Sequence, residues 1–123
     1  MDKRKLLGNR GEAAVADYLK KNRCRILASQ YRCRFGELDL VALCRDGTVA
    51  FVEVKTRTTD NFSPARLAVT PAKQRRMRTA AQVFLEQAAL GDHPCRFDVA
   101  EVYPGPGGDW LRPQINYITN AFQ

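Results

Sequence analysis

The stretch that decides the fold runs from Gly36 to Arg57 and reads GELDLVALCRDGTVAFVEVKTR. Residues 38–43 and 49–54 are both strand-like, and the Arg-Asp-Gly of residues 45–47 is a turn signal between them. Two such runs with so short a connection are typical of an antiparallel hairpin. We therefore predict that residues 38–54 form a hairpin.

Two registers are compatible with this hairpin. A two-residue turn at Asp46-Gly47 would place Asp39 opposite Val54 and would mix polar with apolar side chains on each face. A three-residue loop that ends in a left-handed Gly47 gives one fully apolar face, and we favour it for that reason. Its predicted pairs are Leu38–Val54, Leu40–Val52 and Ala42–Ala50 on the apolar face, and Val41–Phe51, Leu43–Val49, Asp39–Glu53 and Glu37–Lys55 on the other.

The favoured register brings two carboxylates together. Asp39 and Glu53 would have Cβ atoms about 5 Å apart, and like charges directly opposite each other are destabilising. A raised pKa, a neighbouring cation or a bound metal ion would resolve the conflict. Lys55 follows Glu53 by two residues and so shares its face. This pattern predicts a functional site; the alternative is an exposed edge with only a Glu37–Lys55 ion pair.

Two carboxylates and a lysine on adjacent strands suit metal-dependent hydrolysis of a phosphodiester. Asp39 and Glu53 are predicted to hold Mg²⁺, for which Mn²⁺ can substitute, because hard cations prefer carboxylate oxygens and water. Such a metal lowers the pKa of a bound water and neutralises charge on the phosphate. Lys55 would orient that water or stabilise the transition state.

Glu12 is a further candidate. It lies on the apolar stripe of a predicted helix over residues 6–22, where an unpaired buried charge would be costly. Glu12 would therefore be paired, line the site or reach solvent at the edge of the stripe. It would join the metal ligands directly or through water if the helix packs over the open end of the hairpin.

The remaining elements follow from periodicity and end signals. The predicted strands are a weak one over residues 25–31, one over 97–103 and a short one at 110–111, and a turn cluster is predicted at 60–64. A second helix is predicted to have Thr70 as its N-cap and Pro71 as its first residue and to end by Gly91. The spacing of Ile115, Ile118 and Phe122 predicts a short C-terminal helix, for which a strand is the alternative.

The charge of the chain favours a polyanion as partner. The sequence has 20 Lys and Arg against 13 Asp and Glu, a net charge of +7, and the cations gather in residues 1–34 and 55–78. Clusters of this kind are typical of nucleic-acid binding, although a merely solvated surface has the same composition. The residues predicted to contact nucleic acid are Arg10, Arg34, Arg57, Lys73, Gln74, Arg75, Arg76 and Arg78.

Length and composition exclude several classes of protein. The 123 residues suit a single domain over 1–123, and no apolar run is long enough to span a membrane. The polar opening lacks the apolar segment of a signal peptide, so we expect a cytoplasmic protein with reduced thiols. The cysteines form no C-x-x-C pair, and the lone histidine has no metal-ligand spacing. These residues are Cys24, Cys33, Cys44, Cys95 and His93.

The segments 36–41 (GELDLV) and 51–57 (FVEVKTR) resemble the signature of the restriction-endonuclease-like superfamily, the PD-(D/E)xK nucleases. The chain is most similar to the small YraN-like family within it, which residues 11–14 (GEAA) and 120–122 (NAF) also match. One departure is that Leu38 takes the place of the superfamily's proline.

The resemblance implies an α/β, restriction-endonuclease-like core with a central mixed β-sheet flanked by helices, in the order α-β-β-β-α-β. Such a core is similar to that of archaeal Holliday-junction resolvases. The resemblance also implies that Asp39, Glu53 and Lys55 are the metal and catalytic residues and that Glu12 is an additional acid. Lys73 and Gln74 lie where relatives place an accessory polar residue.

These observations lead to one main function and two alternatives. The main prediction is a Mg²⁺-dependent endonuclease that acts on DNA, including branched or structured DNA, with RNA still open. The first alternative is a non-catalytic nucleic-acid-binding module on a nuclease scaffold, and the second is a protein whose basic faces bind an acidic protein. A homodimer is compatible with an enzyme that cuts two strands, although no heptad or apolar patch indicates one.

Overall fold

The structure, a computed structural model, describes residues 3–57 and 69–123. Its sheet has five strands in the order β1-β2-β3-β4-β5, of which β3 and β4 are parallel and all other neighbours antiparallel. The predicted α/β fold with a mixed sheet flanked by helices is therefore confirmed. The elements are α1 (Lys3–Lys21), β1 (Arg25–Cys33), β2 (Gly36–Leu43), β3 (Val49–Thr56), α2 (Pro71–Gln87), β4 (Cys95–Gly105), a 3₁₀ turn (Pro106–Gly108) and β5 (Asp109–Phe122).

The sheet is mixed because β4 runs parallel to β3. Parallel neighbours need a crossover connection, and α2 is the helix of that crossover. It begins as predicted: the Thr70 side chain accepts a hydrogen bond from the Lys73 backbone N–H, and Pro71 is the first helical residue. It ends at Gln87, several residues before Gly91. Ala89 (φ 57°) takes the left-handed position that glycine usually fills after a helix. The predicted turn cluster at residues 60–64 lies outside the described residues.

The predicted C-terminal helix is wrong. Residues 109–122 form the 14-residue strand β5, which pairs with β4 and absorbs the short strand expected at 110–111. Ile115 packs in the apolar cluster on the α1 side of the sheet, whereas Ile118 and Phe122 pack on the α2 side. Residues three apart share a face of a helix, but on this strand Ile115 and Ile118 lie on opposite faces, so their spacing does not mark one apolar face.

The sheet buries apolar side chains on both faces. On one face, Phe51 and Leu38 pack with Met77 of α2, and on the other, Leu40 and Val52 pack against α1. The predicted placement of Leu38 beside Leu40 is therefore wrong. The β1–β2 ladder skips the position between these two leucines, where Gln30 of β1 has a left-handed φ of 52°. The alternation of β2 is interrupted at the same place, since Leu38 packs on the α2 side and Leu40 on the α1 side.

Neither helix is long and apolar enough to cross a membrane, over the part of the chain that the structure describes. The four cysteines are free, and Cys24 Sγ lies 3.6 Å from Cys44 Sγ.

Candidate active site

The β2–β3 hairpin has the favoured register. Its ladder pairs Leu43 with Val49 at the loop and Leu40 with Val52 at the other end. The Cys44 N–H donates to the Thr48 carbonyl at 2.8 Å, which leaves residues 45–47 as a three-residue loop. Gly47 has a φ of 89°, so it takes the left-handed position that this loop requires.

Asp39 marks the end of the β2–β3 ladder. The Val54 N–H, which faces β2, donates to Asp39 Oδ2 at 2.8 Å instead of to a backbone carbonyl. The three pairs predicted beyond Leu40–Val52 do not form as backbone partners, because the ladder stops there. The predicted Glu37–Lys55 contact is also replaced: Glu37 pairs with Arg32 at 3.4 Å, and Lys55 turns to Glu53.

Asp39 and Glu53 nevertheless form a carboxylate pair. Glu53 is buried, with 3% of its surface exposed, and Asp39 is half-buried. Burial is the largest cause that raises the pKa of Asp39, to about 7, and the negative charge of Glu53 raises it further. The Val54 N–H and the Lys73 ammonium act in the opposite direction. Asp39 therefore retains a proton close to neutral pH.

Two lysines compensate the charge of Glu53. Lys73, in the first turn of α2, places its Nζ 2.7 Å from Glu53 Oε1, and Lys55 Nζ lies 3.9 Å from the same oxygen. Lys73 is one of the predicted nucleic-acid contacts, but in the structure its ammonium contacts a buried carboxylate. The like-charge conflict is thus relieved by two of the means expected, a raised pKa on Asp39 and neighbouring cations.

The approach of α1 to the site depends on Gly11. A Cβ at this position would collide with Thr56 Oγ1, at the end of β3, so the helix can lie this close only with glycine. Glu12, the next residue, is half-buried, and its Oε2 accepts a hydrogen bond from Gln30 Nε2 at 3.0 Å. Burial raises the pKa of Glu12, and the negative charge of Asp39 adds to this effect.

Asp39 and Glu53 are the residues here that could hold a hard cation. Both present carboxylate oxygens, which Mg²⁺ prefers, and the Lys73 ammonium supplies a positive charge beside them. Within residues 3–57 and 69–123, no three His, Cys, Asp or Glu side chains come together closely enough to hold a metal ion. Glu12 is therefore a neighbour of the pair and not a third member of it in this arrangement.

A basic cleft lies beside the pair. It encloses about 490 Å³ between the β1–β2 turn and the start of α2, and Lys73 lines it together with Arg34 and Arg76. Both arginines are exposed, and the Arg34 guanidinium stacks over the Phe35 ring at 5.1 Å. Two predicted nucleic-acid contacts, Arg34 and Arg76, thus line the same cleft as Lys73, whose ammonium contacts Glu53.

The other predicted contacts are dispersed. Arg10 lines a groove on the α1 side of the sheet with Tyr18 and Trp110, away from the basic cleft. Arg75 is exposed on α2. The side chains of the remaining three contact groups within the protein. Gln74 Nε2 donates to the Val69 carbonyl at 3.1 Å, Arg78 Nη1 donates to the Gln123 carbonyl at 2.8 Å, and Arg57 Nη2 forms an ion pair with Glu101 Oε2 at 3.4 Å.

Sequence reasoning missed two buried acids on β4. Asp98 is fully buried and accepts hydrogen bonds from Arg96, from the Tyr117 hydroxyl at 2.5 Å and from the Asn120 N–H at 2.8 Å, so it fixes β5 on β4. Glu101 is 3% exposed. Asp98 and Glu101 stand within an apolar run, as Glu53 does, and this pattern in residues 97–103 could have identified both as buried acids.

The geometry defines the class of protein: an α/β chain whose mixed sheet carries a carboxylate pair and two lysines where the β2–β3 ladder ends. Within this class, a family model for the "Uncharacterised protein family UPF0102" matches residues 11–102, and the chain belongs to that family. The resemblance to the YraN-like family is thereby confirmed.

Similar proteins of this family occur in several bacteria. A UPF0102 protein of Thermosynechococcus vestitus is 47% identical over 118 residues, which cover 94% of this chain and 93% of the relative. A UPF0102 protein of Geobacter metallireducens is 45% identical over 121 residues, which cover 97% of this chain and 93% of the relative.

Two solved structures are also similar. One is the structure of an EndoMS–dsDNA complex, with a TM-score of 0.41 and 18% identity over 72% of this chain and 34% of that one. The other is Pyrococcus furiosus SfsA in complex with Ca²⁺, with a TM-score of 0.41 and 15% identity over 94% of this chain and 63% of that one. The chain thus spans about a third of the first protein and less than two thirds of the second.

Proposed function

We propose that this protein is a metal-dependent endonuclease that hydrolyses phosphodiester bonds in DNA, including branched or structured DNA. The observation that carries the proposal is the Asp39–Glu53 pair, which lies beside Lys55 and Lys73 and next to a basic cleft. An acid whose pKa is raised by burial and by a neighbouring carboxylate, as that of Asp39 is, is typical of catalytic sites when it lies beside a cleft of opposite charge.

Each residue of the site has a distinct role in the proposed reaction. Asp39 and Glu53 would hold Mg²⁺, or Mn²⁺ in its place, which would activate a water and neutralise charge on the phosphate. Lys55 would then donate hydrogen bonds to the attacking water or to the phosphoryl oxygens. Lys73 would leave Glu53 and face the substrate from the basic cleft, where arginines hold the DNA backbone.

A cleavage panel tests this proposal. Purified protein would be incubated with labelled duplex, single-stranded, junction DNA and RNA, with Mg²⁺ or Mn²⁺. We expect metal-dependent cleavage of at least one DNA substrate, and its loss in Asp39→Asn, which keeps the shape of the side chain. Glu37→Gln, an exposed acid on the same strand, is the control and should retain cleavage. If no substrate is cut, or if Asp39→Asn cuts equally well, the enzyme proposal fails.

The second candidate is a non-catalytic nucleic-acid-binding module on the same scaffold. The 2.7 Å contact between Lys73 and Glu53 favours it, because an intramolecular cation already compensates the buried carboxylate. This candidate predicts salt-dependent DNA binding without cleavage, and binding that Asp39→Asn leaves unchanged. A cytoplasmic location and a homodimer that cuts both strands belong to the proposal as further predictions.

A further inference from the structure

A second polar row crosses the sheet beside the carboxylate pair. Lys55, Glu101 and Asn116 are successive register partners on β3, β4 and β5. Register partners point to the same face of a sheet, so these three side chains lie side by side. That face also carries Glu53, which precedes Lys55 by two residues. Glu101 is therefore a neighbour of the candidate active site.

Arg57 belongs to this row as well. Its backbone N–H donates to the Val102 carbonyl at 2.8 Å, which continues the parallel β3–β4 pairing one residue beyond β3. Its side chain consequently returns to the face of Lys55 and places Nη2 3.4 Å from Glu101 Oε2. The other oxygen of Glu101 accepts a hydrogen bond from Asn116 Nδ2 at 3.1 Å. Glu101 thus lies between an amide that fixes it and an arginine that it attracts.

The Arg57–Glu101 pair retains unused hydrogen-bonding capacity. Arg57 Nε and Glu101 Oε2 are both buried without a hydrogen-bond partner among the residues that the structure describes. An unsatisfied buried polar atom destabilises the folded state, and apolar side chains in such positions are often more stable than an ion pair. Stability alone therefore does not explain this pair. Its position beside the site indicates a functional reason.

We propose that Arg57 binds a phosphate of the substrate next to the one that is hydrolysed, and that Glu101 is a positioning residue that holds its guanidinium. The inference rests on the proposed function, because it takes DNA as the substrate. A guanidinium suits this role, since its planar donors match phosphate oxygens in pairs, and 22% of the Arg57 side chain is exposed. Two residues of extended strand separate Arg57 from Lys55 by about 6.6 Å, so the two cations reach different phosphates.

Glu101→Gln distinguishes positioning from simple electrostatics by the sign of its effect. The glutamine has the same size, and its carbonyl still accepts from Asn116. Because the substitution removes a negative charge near DNA, electrostatics alone would tighten binding. A loss of positioning would weaken binding, since Arg57 would no longer be held. Glu37→Gln, on an acid whose side chain is 58% exposed, removes the same charge without touching Arg57 and is the matched control.

The experiment measures binding of fluorescein-labelled duplex DNA by anisotropy, over a range of salt and without divalent metal, so that cleavage plays no part. We expect Arg57→Gln to weaken binding about three- to tenfold and to lower the log–log salt slope by about one. Glu101→Gln should weaken binding about threefold, and the double variant should bind no worse than Arg57→Gln. Glu37→Gln should bind as well as the wild type or slightly better. Equal or tighter binding by Glu101→Gln would overturn the inference.

A second variant covers the case in which Glu101→Gln does not fold, as shown by its melting curve. Arg57→Lys keeps the charge and removes the planar guanidinium, so it should weaken binding with little change in salt slope; unchanged affinity overturns the inference. If the wild type binds DNA and the Arg57 variants bind equally well, only this inference fails. If the wild type binds no DNA at any salt concentration, the proposed function fails with it.

Discussion

Lys73 Nζ lies 2.7 Å from Glu53 Oε1, and this contact joins the first turn of α2 to a buried carboxylate on β3. The contact offsets part of the negative charge of the pair, and the raised pKa of Asp39, about 7, lowers that charge further. A divalent ion that binds the pair would therefore displace a proton and compete with a lysine. Metal affinity and the position of Lys73 are coupled for this reason.

Because metal affinity and the position of Lys73 are coupled, Lys73→Met should change both the stability of the protein and its response to Mg²⁺. Without divalent ions at about pH 8, we expect its free energy of unfolding to fall by about 1–2 kcal/mol, because Glu53 loses its nearer cation; the partial exposure of Lys73 keeps the loss below that of a fully buried pair. Millimolar Mg²⁺ should stabilise the variant more than the wild type. Urea unfolding with EDTA and with Mg²⁺ measures both effects.

Arg75→Gln is the control for this prediction, since Arg75 is an exposed cation in the same part of α2. It should change the free energy of unfolding by less than about 0.5 kcal/mol and should leave the response to Mg²⁺ as in the wild type. Equal stability of Lys73→Met and wild type in EDTA would contradict the role assigned to Lys73.

The pKa of Asp39 predicts how stability depends on pH. Its pKa is raised from 3.8 to about 7 in the folded protein, so the folded state binds more protons than the unfolded state between these values. The contribution of Asp39 to stability is therefore complete below about pH 4 and is lost as the pH rises towards 7. Asp39→Asn, which resembles the protonated form, should lack this loss and be more stable than the wild type near pH 8.

Urea unfolding at about pH 5 and about pH 8 measures this difference. Because groups far from Asp39 titrate equally in both proteins, the relevant quantity is the change in free energy of unfolding of Asp39→Asn relative to the wild type. The raised pKa would be refuted if the difference in free energy of unfolding between Asp39→Asn and the wild type were the same at both pH values, or if the wild type became the more stable of the two at high pH.

The close approach of α1 to β3 at Gly11 predicts that a side chain added at this position destabilises the protein. Gly11→Ala should lower the free energy of unfolding by about 1–3 kcal/mol, because the new methyl group meets Thr56 Oγ1. Gly8→Ala in the same helix meets no atom within 4 Å among residues 3–57 and 69–123 and should be neutral or stabilising. Thr56→Ala should recover part of the loss in the double variant. Equal effects of the two glycine substitutions in thermal unfolding would show that the close approach is unimportant.

The sequence alone predicted the parts of the fold that depend on local pattern. The hairpin register followed from Gly47 and from the alternation of apolar residues, and the start of α2 followed from Thr70 and Pro71. The side to which Leu38 points did not follow, because the alternation of β2 is interrupted between Leu38 and Leu40 and no local pattern marks the interruption. The spacing of Ile115 and Ile118 was misleading, since residues three apart share a face of a helix but lie on opposite faces of a strand.

The candidate site was predictable to a similar extent. The proximity of Asp39, Glu53 and Lys55 followed from the register of one hairpin. The contact of Lys73 with Glu53 could not be predicted, because it requires the packing of α2 on the sheet. Glu101 was missed because its neighbours in the site belong to other strands, and the parallel pairing of β3 with β4 is not encoded by any local motif.

The most direct test of the account is the single-turnover rate of DNA cleavage in Mg²⁺ by the wild type and by Glu53→Gln, with DNA affinity measured in parallel. The account predicts that the wild type cuts DNA only with divalent metal and that Glu53→Gln lowers the rate at least about a hundredfold, while its DNA affinity stays equal to or slightly tighter than that of the wild type. Cleavage by Glu53→Gln at the wild-type rate, or no cleavage by the wild type, would contradict the central claim that the Asp39–Glu53 pair is a nuclease centre.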